Sequence, residues 1–339
     1  MSPVVTSRLD DARGNRRFLI ICDHASNYIP PALNGLGLPE TDLQRHIAYD
    51  IGAFEVAQRI ADELNCPLVA SQFSRLLIDP NRGLDDPTLV MKLSDGAIIP
   101  ANKQVDPFQD RGAWRARIDD YYEPYNQAIV QAIDAALATY HVPIILSVHS
   151  FTPQWRGHNR PWQAAVLWDR DDRLRNLMVD YMARQPDICF GDNTPYSGRL
   201  KNDCLYRHGT KKGLPHALIE LRQDEIANAS GQAGWAAHMV AIMQLAENRD
   251  EMKQYVISAR LMISPNEPNL SCVRQGFCYI CALLSGENLM TDTNDSQEWG
   301  DEMDRPEHEK TYEVFLDYTK WGVIIVAIIL VMLLLFVYG

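Results

Sequence analysis

Apolar residues in this chain come in short runs that end on residues able to bind or serve a metal. Phe18-Leu19-Ile20-Ile21-Cys22 leads to Asp23-His24, Pro143-Ile144-Ile145-Leu146-Ser147-Val148 to His149, and Ala217-Leu218-Ile219 to Glu220. Runs this short and continuous predict buried strands of a parallel sheet. Between them the pattern becomes helical. From Thr41 to Asn65, apolar Leu43, Ile47, Ile51, Phe54, Ala57, Ala61 and Leu64 recur at helix spacing. Pro67–Phe73 and Arg75–Ile78 read as strands, followed by a turn at Asp79-Pro80-Asn81-Arg82-Gly83. A long helical region is expected over Arg111–Tyr140, broken or kinked at Pro124. Gln163–Trp168 reads as a strand, Asp171–Ala183 as a helix, Asp192–Gly198 as a loop, and Ala233–Met252 as a last helix. This alternation predicts a three-layer α/β/α domain with a mainly parallel or mixed sheet, ending near residue 250.

The pattern then stops. Residues 251–289 read as a linker of unclear structure, and the pair Cys278 and Cys281 within it completes no zinc site. An acidic stretch from Met290 to Glu309 precedes Trp321–Gly339, where no residue is charged and Val323–Val337 is apolar throughout. As a helix, this last segment would extend about 28 Å, close to the thickness of the bilayer core. One C-terminal transmembrane helix is therefore expected over about 321–338, flanked by the interfacial aromatics Trp321 and Tyr338. The start of the chain lacks the apolar core of a signal peptide, which leads us to expect a single-pass membrane protein with its main domain cytoplasmic.

Composition narrows the partners. A net charge of −12 with no basic run longer than Lys211-Lys212 argues against nucleic acid. Seven scattered cysteines in a chain of 339 residues fit a reducing compartment better than a disulfide framework.

The strand-end residues carry the candidate chemistry. In open α/β sheets, ligands bind beyond the carboxyl ends of the strands. A catalytic zinc takes three ligands from His, Asp or Glu and leaves a position open. His24 and His149 supply nitrogens. Asp50, inside an otherwise apolar helix-like stretch, is the preferred third ligand, because an ionised group there needs a partner; a capping aspartate is the plainer alternative. Glu220 suits a general base beside the ion. Arg75, Asn81, Arg82 and Arg222 lie near these strand ends and suggest an anionic substrate, although each arginine could equally belong to a surface ion pair.

These segments together resemble the N-formylglutamate amidohydrolase family over residues 17 to about 250. The match rests on Cys-Asp-His-Ala-Ser-Asn-Tyr-Ile-Pro (22–30), His-Ile-Ala-Tyr-Asp-Ile-Gly-Ala (46–53) and Ser-Arg-Leu-Leu-Ile-Asp-Pro-Asn-Arg (74–82). Ser-Val-His-Ser-Phe-Thr-Pro (147–153), Asn-Thr-Pro-Tyr-Ser-Gly (193–198) and Leu-Pro-His-Ala-Leu-Ile-Glu-Leu-Arg-Gln-Asp (214–224) complete it. The resemblance implies a fold similar to zinc carboxypeptidases. It also implies zinc-dependent cleavage of a small anionic N-acyl amino acid, with Arg75, Asn81 and Arg82 in the substrate pocket. The chain departs from the His-x-x-Glu ligand pair of those peptidases, since Asn27 stands where Glu would be, and this moves the carboxylate ligand to Asp50. Residues 290–339, with Glu-Lys-Thr-Tyr-Glu-Val-Phe (309–315), resemble subunit IV of bacterial aa3-type cytochrome c oxidases, which implies oxidase subunits as partners.

Overall fold

A computed structural model describes residues 5–7, 14–139 and 141–256. The chain divides into two units, Met1–Ser271 and Cys272–Gly339. The expected span at 321–338, most of the expected linker and its cysteine pair lie outside the described residues. Among those residues, no helix is long and apolar enough to cross a membrane.

The strands are β1 (Val5–Ser7), β2 (Phe18–Cys22), β3 (Leu68–Ser71), β4 (Leu93–Ser94), β5 (Ala97–Ile98), β6 (Ile144–Phe151), β7 (Gln154–Trp155), β8 (His158–Asn159), β9 (Ala164–Leu167), β10 (Phe190–Asp192) and β11 (His216–Arg222). The helices are α1 (Glu40–Leu43), α2 (Ala53–Leu64), α3 (Arg111–Arg117), α4 (Glu123–Leu137), α5 (Arg173–Met182), α6 (Cys204–His208) and α7 (Ala229–Glu247). Among the described residues the main sheet has the order β1-β3-β2-β6-β11-β9-β10. It is mixed: β3, β2, β6 and β11 run parallel, β9 runs antiparallel to β11, and β1 pairs antiparallel with β3.

The central strands are buried on both faces, which is why they read as unbroken apolar runs. Phe18, Ile20, Ile144, Leu146, Val148, Ala217 and Ile219 pack with α2, α5 and α7 on one face. Leu19, Ile21, Ile145 and Leu218 pack on the other, where α4 supplies Tyr125, Ile129 and Ile133. The expected three layers are present.

Three local readings are corrected. Thr41–Asn65 is not one helix: α1 ends at Leu43, turns follow, and α2 starts at Ala53. The break falls at Gly52, whose φ is +80° and where an added Cβ would lie 2.9 Å from Ile226, so only glycine fits. Arg75–Ile78 is not a strand but a buried turn segment. Its backbone finds partners in side chains: Asn102 Nδ2 donates to the Leu76 carbonyl (2.8 Å) and Arg117 Nη1 to that of Leu77 (2.6 Å). Pro124 does not end the helical region. A π-helical turn over Ile118–Tyr122 precedes it, and Pro124 takes a first-turn position of α4, where its missing N–H costs nothing. At the far end, residues 250–256 fold back on the domain, with Arg173 Nη1 donating to the carbonyls of Glu251 (2.8 Å) and Gln254 (2.7 Å).

Candidate metal centre

Side-chain alternation along the strands sets the site on one face of the sheet, at its carboxyl edge. Ile145 and Leu218 begin the α4 face of β6 and β11. Two and four residues further along come Ser147 and His149, and Glu220 stands directly opposite His149 in register. On β2, Leu19 and Ile21 are followed by Asp23 on the same face. On this face Ser147, His149, Glu220 and Asp23 replace apolar residues toward the carboxyl ends, while His216 is a buried polar residue at the start of β11.

His24, Asp50 and His149 meet there, all buried, with one ligand atom of each within 4.8 Å of the others. Asp50 arrives from the turn before α2, its N–H bonded to the His24 carbonyl (2.9 Å). Asp50 Oδ2 lies 3.2 Å from His24 Nδ1 and 2.8 Å from His149 Nδ1, and also accepts from the Ser150 N–H (3.3 Å). The far nitrogens are held as well. His24 Nε2 is 2.7 Å from Asp79 Oδ1, and His149 Nε2 is 3.0 Å from Asp23 Oδ2. Asp23 in turn accepts from Tyr125 OH and Ser147 Oγ, both at 2.9 Å.

This donor set fits a divalent cation. All four imidazole nitrogens face carboxylate oxygens, which requires either two imidazolium rings or a cation on the Asp50 side. Metal-ligating histidines generally give their second N–H to a carboxylate, and Asp79 and Asp23 occupy those positions. The electrostatics agree. Burial disfavours an imidazolium at His149, but hydrogen bonds to Asp23 and Asp50 outweigh it and hold its pKa well above the ordinary value. Burial likewise disfavours the ionised form of Asp50, yet the two histidines pull its pKa below the carboxylate range. In Asp79, Arg75 and His24 outweigh burial in the same sense.

Glu220 behaves oppositely. It is 8% exposed, and its Oε2 has no hydrogen-bond partner among the described residues. Burial raises its pKa to about 7, against the opposing pull of His149. A buried carboxylate with its pKa raised toward neutrality, beside two buried imidazoles, is a candidate general base.

The arginines divide. Arg75 joins the cluster, with Nη2 2.8 Å from Asp79 Oδ2 and Nη1 3.6 Å from Asp50 Oδ1. Arg82 lies 3.8 Å from Asp79 and 3.7 Å from Asp86. Asn81 bonds its own N–H to Asp79 Oδ1 (2.9 Å) and accepts from Cys204 N–H (3.3 Å). Arg222 is not brought to the cluster. Its guanidinium is held by Asp224 (2.7 and 3.1 Å), Glu225 (2.9 Å) and the carbonyls of Arg160, Pro161 and Trp162. Asn27 is turned away too, donating to the Leu43 carbonyl (2.9 Å). The reading from sequence missed the holding roles of Asp23 and Asp79. Asp23 adjoins His24 and Asp79 lies in a turn motif, but only the fold shows which imidazole each one meets.

Two histidines just past or on the strands and an aspartate from the turn before α2 thus form a cluster that could hold a metal ion in an α/β domain. The comparisons carry this further: residues 16–227 match N-formylglutamate amidohydrolase, and the chain belongs to that family. Residues 296–337 match the bacterial aa3 type cytochrome c oxidase subunit IV. Among solved structures, a gene product from Agrobacterium tumefaciens is 30% identical, with a TM-score of 0.66, over 71% of this chain and 94% of its own. The N-formylglutamate amidohydrolase from Ralstonia eutropha is 18% identical, with a TM-score of 0.49, over 72% of this chain and 97% of its own. No curated protein sequence matches the chain.

Proposed function

We propose that this chain is a metal-dependent amidohydrolase that cleaves an N-formyl or similar N-acyl group from an acidic amino acid, giving the free amino acid and a carboxylate. The observation that carries the reading is the triad His24, Asp50 and His149, with buried Asp79 and Asp23 behind its imidazoles and Glu220 beside it. A zinc ion held there would polarise the acyl carbonyl and acidify water. Asp79 and Asp23 fix the tautomer and aim of the two rings. Glu220, ionised at neutral pH or just above, takes the proton of the attacking water and returns it to the leaving amine. Arg75 directs positive charge to the same pocket, where negative charge develops on the acyl oxygen. The Asn81–Arg82 turn would line the substrate side.

Formate release from N-formyl-L-glutamate by zinc-replete protein tests this. Full activity in Glu220→Gln would overturn the base assignment, and failure to hydrolyse any N-acyl amino acid would overturn the substrate class.

The match over residues 296–337 supports a second element of the reading. The span at 321–338 would tether the hydrolase domain to the cytoplasmic face of a membrane. Full-length polypeptide recovered wholly in the soluble fraction would refute the tether. The same match favours an alternative role as a membrane accessory of a cytochrome c oxidase, with the hydrolase domain as passenger. Co-purification of the full chain with oxidase subunits would support that role.

A further inference from the structure

Beyond the metal cluster, β6 leads into a cleft of about 570 Å³ walled by Thr152, Gln154, Asn159, Arg160, Arg222 and Asp224. Its volume is that of a small-molecule site. Arg160 is the unusual member. Only 9% exposed, it has its guanidinium carbon 4.9 Å from the Tyr196 ring centroid, 5.4 Å from that of Trp155 and 5.5 Å from that of Phe151. Among the described residues its guanidinium makes two long hydrogen bonds, from Nη1 to the Thr152 carbonyl and hydroxyl at 3.4 Å each. Among the described residues no carboxylate pairs with it. Asp224, on the same wall, is held by Arg222. A cation this buried without a counter-ion is costly, and the planar fork of arginine suits a carboxylate.

The cage around Arg160 is built. Arg156 and Gly157, both at positive φ, form the two-residue turn of the β7–β8 hairpin that carries Trp155. Arg160 N–H bonds to the Pro153 carbonyl (2.9 Å), closing the hairpin's base. Tyr196 comes from the Asn-Thr-Pro-Tyr-Ser-Gly segment (193–198), a motif that the metal cluster does not use.

We infer that Arg160 receives the side-chain carboxylate of the substrate and is the residue that selects acidic amino acids; this rests on the hydrolase reading above. The spacing supports it. Phe151 lies two residues beyond His149 on the same side of β6, about 7 Å along the strand. In an N-acyl glutamate, five bonds separate the acyl carbon from the side-chain carboxylate carbon, about 6 Å when extended, whereas three bonds separate it from the α-carboxylate carbon. An acyl group at the His149–Glu220 row thus carries its distal carboxylate toward Arg160. Arg222, the arginine favoured from sequence on this strand end, already has two carboxylates.

Calorimetric binding of L-glutamate and L-glutamine to the full-length zinc-loaded chain tests the inference, with the N-formyl derivatives of both assayed as substrates. The wild type is expected to prefer glutamate roughly 10- to 100-fold, the worth of a charge-assisted pair. Arg160→Met should abolish the preference and collapse the kcat/KM ratio of the two N-formyl substrates by a similar factor. Arg160→Gln keeps hydrogen-bond donors without charge and should do the same if the Met variant does not fold. A wild type without preference, or variants that retain it, would overturn the inference. Arg160-dependent preference with no hydrolysis of either substrate would uphold this site and sink the hydrolase reading. Hydrolysis of N-formyl-L-glutamate that is indifferent to Arg160 would do the reverse.

Discussion

The two faces of the central sheet use the same strands for different ends. Toward α2, α5 and α7, β6 presents Ile144, Leu146 and Val148, apolar until Ser150 near its carboxyl end. Toward α4 it presents Ile145, then Ser147 and His149. β11 repeats the contrast, with Ala217, Ile219 and Leu221 on the first face and Leu218 then Glu220 on the second. The first face supplies burial along its whole length. The second gives up packing at its edge for the buried ionisable groups Asp23, His149 and Glu220, which His24, Asp50 and Asp79 join from turns and loops. Such groups are tolerable because each histidine and aspartate has a partner. Glu220 Oε2 lacks one among the described residues, which is the observation behind its proposed role as base.

If this division is right, chelation should have the largest effect, since it acts on the second face alone. Dialysis against a strong chelator is expected to abolish formate release, and added zinc to restore it; unchanged activity in protein shown to be metal-free would break the contrast. Next, Glu220→Gln should lower kcat by about 10²- to 10⁴-fold with zinc content unchanged, the range of general acid–base assistance. The same variant should be more stable in chelator-treated protein. Because the folded pKa of Glu220 is raised from 4.5 to about 7, its contribution is fully present below the unfolded value and is lost as pH rises through the folded one. Glu220→Gln should therefore match wild type in unfolding free energy near pH 4 and exceed it at pH 8 by on the order of 3 kcal/mol, seen as a pH-dependent rise in Tm. A Tm difference independent of pH would remove the desolvation argument.

A smaller effect is expected behind the ligands. Asp79→Asn should weaken zinc binding or activity about 10- to 100-fold, measured as the zinc concentration giving half-maximal activity. The smallest belongs to the apolar face. Ile219→Val should cost about 0.5–1.5 kcal/mol in denaturant unfolding and leave kcat/KM unchanged. Loss of activity there, in folded protein, would show that the two faces are coupled.

Much of the architecture was legible in the chain because buried strands declare themselves locally. The β2, β6 and β11 runs, and the histidines and glutamate at their ends, could be read without a neighbour in view. Asp50 sits in a turn and not in the expected helix, and the fold gives it the partners that a buried carboxylate needs. What was misread depends on who comes near. Leu76-Leu77-Ile78 looks like a strand until Asn102 and Arg117 are seen to take its carbonyls. Asp23 and Asp79 look like ordinary strand-end and turn aspartates until each meets an imidazole.

The arginines show the limit most clearly. By residue type, Arg160 and Arg222 are equivalent, and position along β11 favoured Arg222. The sequence by itself determined the short buried strands, the metal-binding residue types at their ends, the membership of the family and an apolar stretch long enough to span a bilayer. Those are properties of local pattern, set by side-chain period and residue chemistry. The tertiary structure alone decided which carboxylate holds which histidine, that Arg222 is ion-paired, and that Arg160 stands caged by three rings. Pairing is a relation between residues far apart in the chain, and desolvation acts on a charge only after folding has chosen its neighbours.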